Sequence, residues 1–317
     1  MAFNVIIIVA IVLLSMVVSW FIYNFYWCYT RIFSSKRKNG FNAGKAVNSV
    51  KTDRIRDLHK KKIEEFNLLP YEDVEIKACD GTALRGRFFS VEGSSNIVIV
   101  FHGYRSRVDS DGCLVTKYCL EHGFNVLAVH QRGHGLSEGK VMSFGVKERF
   151  DCRSWAEYAA QRLGPETKIL LMGVSMGAST VMSASELNIP NVKGIFADCG
   201  FSSPREMFGV IISDMGFPID FTYFFIRNSA RLLAGFDPEE SSALKALPNS
   251  DLPLTIIHGT EDKFVPCSMA EECFNAAKTN KKRLIIVPDA THAVSYFYDT
   301  EKYEAELQYM LTLVSES

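Results

Sequence analysis

Ser175 stands in Gly173-Val174-Ser175-Met176-Gly177, directly after an apolar run, Lys168 to Met172, and directly before a helix-forming run, Ala178 to Leu187. Strand, sharp turn and helix in that order present a serine hydroxyl at the tip of a sheet, with small flanking residues because the turn is tight. A helix N-terminus behind the hydroxyl favours negative charge there. A second match, Gly135-Leu136-Ser137-Glu138-Gly139, follows a polar Arg132-Gly133-His134 loop instead of an apolar strand, so only Ser175 qualifies. A serine becomes nucleophilic when an imidazole takes its proton, and that imidazole needs a carboxylate to fix its tautomer. The chemistry would be acyl transfer through a covalent acyl-enzyme.

The carboxylate and the histidine should sit in loops after later strands, in the order serine, acid, histidine. Asp262 follows the run ending His258-Gly259-Thr260-Glu261, and His292 follows the last strand in Pro288-Asp289-Ala290-Thr291-His292. Glu261 and Asp289 compete as the acid; a loop register that turns Asp262 inward turns Glu261 away. Of the 7 histidines, His59 and His122 fall on helices, His102 and His258 precede glycines at strand ends in bracing positions, and His130 and His134 bracket a tight turn. Only His292 follows the final strand. Two N–H donors would face the developing oxyanion: Met176, next after the serine, and Tyr104, in the loop after an earlier strand.

The elements that must position these residues alternate. Val74–Ala78 and Leu84–Phe89 flank Asp80-Gly81 as an antiparallel hairpin. Asn96–Phe101 is a continuous apolar strand of the buried, parallel kind. A helix over 110–122, a strand 125–129, a helix near 146–162, the strand 168–174 and its helix, and a strand 192–197 follow. After residues 204–236 come a strand 254–257, a helix 267–278, a strand 284–287 and a last helix 299–314. This rhythm implies a mostly parallel central sheet with helices on both faces. The interruption at 204–236, rich in Phe and Ile without a strand pattern, reads as a helical lid insertion over the sheet's C-terminal edge or as ordinary packing helices.

A chain of 317 residues with a formal net charge of −1 is long enough for one catalytic domain and an appendage, and its charge balance gives no argument for nucleic acid. The charge is unevenly spread. Residues 1–30 carry none, whereas residues 31–62 carry eleven Lys/Arg against Asp53 and Asp57. The first segment is long and apolar enough to cross a bilayer, lacks a basic n-region and a small-residue cleavage site, and ends in an aromatic belt of Trp20, Phe21, Tyr23, Phe25, Tyr26, Trp27 and Tyr29. It reads as a retained single-pass anchor, with an uncleaved export signal as the rival. Arg31, Lys36, Arg37, Lys38, Lys45 and Lys51 lie on its C-terminal side, so the positive-inside rule puts the body in the cytoplasm. The expected domains are an anchor at 1–30, a basic linker with a juxtamembrane helix at 31–65, and a catalytic domain at 66–317. Eight cysteines show neither metal spacing nor the density of a disulfide framework. No phosphate loop or dinucleotide fingerprint occurs, and no cofactor or metal is expected.

From about residue 70 onward the chain resembles the α/β-hydrolase superfamily. The resemblance rests on Phe-His102-Gly103-Tyr104, Gln-Arg132-Gly133-His134-Gly135, Gly173-Val-Ser175-Met-Gly177, His258-Gly-Thr-Glu-Asp262 and Ala-Thr-His292, in that order. The set is similar to bacterial membrane-anchored hydrolases near the serine-aminopeptidase, monoacylglycerol-lipase and ABHD-type branches, although His130-Gln131 stands where an Asp or Tyr is common. The resemblance implies an α/β-hydrolase fold and a serine hydrolase but does not single out a substrate; the expected substrate is a carboxylic ester, and the apolar 204–236 segment and the membrane location favour amphiphilic or lipid-derived acyl groups. Acyl-peptide or thioester cleavage is the alternative within the class, and a non-catalytic scaffold at the membrane is the alternative outside it. The expected partners are a small acyl-ester substrate and, through the helix and basic collar, membrane lipid.

Overall fold

The computed structural model describes residues 2–36 and 53–317. Helix α1, Ala2–Cys28, is apolar throughout and runs into a five-residue π turn, Tyr29–Phe33. It is long and apolar enough to cross a membrane. Of the basic collar, Arg37, Lys38, Lys45 and Lys51 lie outside the described residues. Helix α2, Asp53–Leu68, follows. It is pinned to the body by Phe66, which is buried against Phe89 with ring centroids 5.0 Å apart.

Eight strands form one sheet: β1 Glu72–Lys77, β2 Ala83–Phe89, β3 Asn96–Phe101, β4 Asn125–His130, β5 Lys168–Val174, β6 Val192–Asp198, β7 Leu254–Gly259 and β8 Lys282–Val287. Their order is β1-β2-β4-β3-β5-β6-β7-β8; β2 runs antiparallel to both its neighbours, β1 and β4, and the other pairs are parallel. Continuous apolar runs such as Ile97-Val98-Ile99-Val100-Phe101 are explained by burial on both faces. One face packs Trp155, Leu171 and Val181 under α5, Glu148–Leu163, and α6, Met176–Ala184. The other packs Phe196, Tyr303 and Met310 under α12, Thr300–Glu316. The helix expected over 110–122 is two short ones, α3 Val108–Gly112 and α4 Thr116–Glu121.

Residues 204–236 are helical, as α7 Pro204–Asp214, α8 Ile219–Ser229 and a π turn Ala230–Ala234. Ser203 caps α7 by accepting from the Glu206 N–H, with Pro204 at the first helical position. The remaining helices are α9 Ala243–Ala246, α10 Ser268–Ala276 and α11 Ser295–Tyr298. Together the helices of residues 204–236, the loop around Phe144 and the end of α1 make a third apolar cluster.

Helix α1 is therefore joined to the body by packing as well as by chain. Phe33 is fully buried, edge-on to Phe144, Phe208 and Phe236 at 5.3–6.2 Å. The Phe33 carbonyl accepts from the Met142 N–H at 2.8 Å, and Ser35 N–H donates to the Lys140 carbonyl at 3.0 Å, around an antiparallel bridge from Ser34 to Val141. Higher up α1, Trp20, Phe21 and Phe25 pack on Phe225 of α8. The expected linker at 31–65 thus begins with residues built into the domain, because Ile32 and Phe33 are apolar enough to gain more from burial than from solvent.

Candidate active site

The register of the sheet sets the site. Phe101 at the end of β3 pairs with Gly173 of β5, so the loop after β3 lies beside the turn holding Ser175. Ser175 adopts φ 55° and ψ −118°, a region non-glycine residues rarely occupy, and the surrounding turn holds it there. A Cβ on Gly177 would collide with the Phe101 carbonyl, and one on Gly173 with the Gly177 backbone. Both glycines are required by close approach of backbone to backbone. A third, Gly259, touches Ala290 in the same way, and this lets the loops after β7 and β8 abut.

That contact brings the two remaining residues together. His292 Nε2 lies 2.8 Å from Ser175 Oγ, and His292 Nδ1 lies 2.7 Å from Asp262 Oδ2. With Nδ1–H donating to the carboxylate, Nε2 is left to accept the serine proton. Asp262 Oδ1 accepts from the N–H groups of Phe264 and Val265 at 3.0 and 2.9 Å. Burial works to raise the Asp262 carboxyl, but the imidazoles of His292 and His258 outweigh it and hold the group well below the usual carboxylate range. Glu261 is exposed and Asp289 faces solvent from its own turn, so neither competes.

The bracing of this chain was only partly legible. His258 is fully buried; its Nε2–H donates to the Val265 carbonyl at 2.9 Å and lies 3.3 Å from Asp262 Oδ2. It holds the acid from behind, and its place before Gly259 at a strand end was the available signal. Phe264 rests edge-on against the His292 ring at 5.0 Å.

Met176 and Tyr104 occupy the two places expected of oxyanion donors. Met176 opens α6, where the N–H of a first helical residue has no partner within the helix. Tyr104 sits in a loop held on all sides. Gly103 N–H donates to Asp111 Oδ2 at 2.7 Å, Ser106 Oγ to Asp111 Oδ1 at 2.9 Å, and Arg105 N–H to His134 Nε2 at 2.9 Å. The two histidines expected around a tight turn prove to do different things, and only His134 contacts this loop. His134 accepts from it, while the His130 ring fills the space over Gly135. Asp111 gave no sequence signal. The Tyr104 hydroxyl donates to the Ile32 carbonyl at 2.8 Å, a link to the end of α1 that no local pattern announces.

Over Ser175 lies a cavity of about 280 Å3. Met176, Tyr104 and Phe264 surround the serine, Phe208 and Ile212 of α7 form the lid side, and Trp27, Cys28 and Ile32 form another wall. Cys199, Asp262 and His292 offer ligand atoms within 4.8 Å of one another. Burial pushes the Cys199 thiol well up, and the other two are engaged with each other, so this set is a poor metal site.

A family model described as serine aminopeptidase, S33, matches residues 93–212. YqkD of Bacillus subtilis is 25% identical over 263 residues, covering 80% of this chain and 83% of its own. YfhR of Escherichia coli K12 is 26% identical over 229 residues, 70% of this chain and 73% of its own. Among solved structures, the Pyrococcus furiosus esterase PF2001 superposes with a TM-score of 0.64 at 25% identity, over 80% of this chain and 92% of that one. Eight-stranded topology, turn geometry and these likenesses define the fold: the chain has the α/β-hydrolase fold, with helices on both faces of a mostly parallel sheet.

Proposed function

We propose that this protein is a membrane-anchored serine hydrolase that cleaves carboxylic esters with amphiphilic or lipid-derived acyl groups. The observation that carries the reading is the chain Ser175–His292–Asp262, at 2.8 and 2.7 Å, on the floor of an apolar cavity. Ser175 Oγ attacks the acyl carbonyl while His292 Nε2 takes its proton. The tetrahedral oxyanion faces the N–H groups of Met176 and Tyr104, each such donor being worth about 100- to 1,000-fold in rate. His292 then protonates the departing alkoxide. Water, deprotonated by the same nitrogen, releases the acid and restores Ser175.

The cavity lining favours an acyl ester over a peptide with a free amino terminus. Among the described lining residues Arg31 is the one charged side chain, so a substrate ammonium group finds no carboxylate to meet it. For the anchor, α1 has 27 residues, about 40 Å at 1.5 Å per residue, against a hydrocarbon core of about 30 Å. Arg31 and Lys36 on its far side support a cytoplasmic body.

The test uses the full chain in detergent micelles, assayed on p-nitrophenyl esters of increasing acyl length beside Ser175→Ala. Turnover with a preferred length that falls by about 10^6-fold, to background, in the variant is the expected result. Equal turnover in both proteins would remove Ser175 from the mechanism. Absence of turnover and of fluorophosphonate labelling in the wild type would point to the scaffold instead.

A further inference from the structure

A tether needs only to be flexible and long enough, yet the end of α1 is neither loose nor distant from Ser175. The helix passes into a π turn at Tyr29–Phe33, a rare insertion that re-aims the residues after it. Two results of that turn bear on the site. Phe33 enters the aromatic box of Phe144, Phe208 and Phe236, and the Ile32 carbonyl meets the Tyr104 hydroxyl. Tyr104 belongs to the loop whose N–H is assigned to the oxyanion, so the anchor is registered to the reacting centre through one residue.

The cavity shows what that register accomplishes. Trp27, Cys28 and Ile32 line it opposite Phe208 and Ile212 of the lid, with Ser175 at the bottom. Cys28 is buried, whereas Trp27, Met215 and Phe217 line the cavity and are also exposed, which marks the rim between α1 and the turn joining α7 to α8. The open side therefore adjoins the apolar helix itself.

We propose that the end of α1 is part of the substrate site. Its last turn and the π turn form the wall on which the acyl chain lies, and Cys28 and Ile32 set the length of chain accepted. This rests on the reading of Ser175 as the residue that accepts the acyl group, but not on the leaving group being an alcohol.

The experiment measures the rate at which n-alkyl fluorophosphonates of increasing chain length label Ser175 in the full chain in detergent micelles. Wild type, Cys28→Phe and Ile32→Ala are compared, with Ser175→Ala as the blank. Cys28→Phe fills the cavity from the α1 side. It is expected to slow labelling by the longest reagent accepted by wild type about tenfold or more, as one methylene's misfit can, and to leave the shortest within about twofold. Ile32→Ala removes side chain from the same wall, retains the backbone carbonyl that Tyr104 uses, and should move the optimum to longer reagents. It keeps the test alive if Cys28→Phe fails to fold. Parallel length profiles in all folded variants would overturn the proposal and place the alkyl chain elsewhere. Profiles that shift as expected in a protein without esterase turnover would uphold the wall and overturn the ester assignment. A wild type that no reagent labels would overturn both.

Discussion

At the scale of single residues, the site depends on which hydrogen atoms are fixed before substrate arrives. Asp262 holds Nδ1–H of His292 and is itself held by two backbone N–H groups and His258. Asp262→Asn should keep the fold and lower kcat by about 10^4-fold, because an amide can fix the wrong tautomer. A smaller loss in kcat, with unchanged pH dependence, would move the acid elsewhere. His134 makes a second kind of demand: its Nε2 accepts from Arg105, a residue at φ 54°, and so must stay unprotonated. Burial and the nearby His102 hold His134 down to about 3, and burial with His102 holds His130 down to about 4. An unfolded imidazole titrates near 6.5, so between those values the unfolded chain binds more protons. Stability from these groups is full above about pH 6.5 and is lost as pH falls, down to about 4 for His130 and about 3 for His134. His134→Gln, which retains an acceptor, should flatten the acid limb of a melting temperature against pH curve. An unaltered limb would assign the acid loss to the carboxylates instead.

At the scale of elements, legibility followed periodicity and strand ends. Ser175, Asp262 and His292 each stand just past an apolar run, where topology demands loops, and the structure brings all three within hydrogen-bonding reach. The helical segment at 204–236 was legible as an interruption in the rhythm. The seat of α1 was not, for a physical reason: Trp, Phe and Tyr suit a lipid headgroup zone and a protein core equally. Trp20, Phe21 and Phe25 therefore read as an interfacial belt, while the fold places them on Phe225 of α8. Likewise Phe66, just past the linker expected at 31–65, fixes α2 to the sheet through a partner that no local pattern reveals. Phe33 provides the measure of the anchor's contribution. Phe33→Ala leaves a void among three rings and should cost about 3–5 kcal/mol, read by chemical denaturation of the full chain in detergent. A cost below about 1 kcal/mol, the size of a surface change, would mean that the π turn is not part of the folded core.

For the whole molecule, the boundary between α1 and the sheet domain does not coincide with the end of the apolar run. A chain beginning at residue 53 keeps every strand but uncovers Phe144, Phe208 and Phe236 and opens one side of the cavity. Size-exclusion chromatography should show it self-associating, as exposed apolar patches cause, and its melt should fall below that of the full chain. A monomeric fragment with an unchanged melt would reduce α1 to a tether.

The Tyr104–Ile32 hydrogen bond carries one more consequence, kinetic in kind. On the proposed reading of α1 as a membrane anchor and Ser175 as the nucleophile, the protein would search a surface and not a volume. Its rate should follow the mole fraction of substrate among the lipids or detergent around it. Adding inert detergent at constant total substrate should slow turnover of long-chain esters by surface dilution, and leave freely water-soluble short esters untouched.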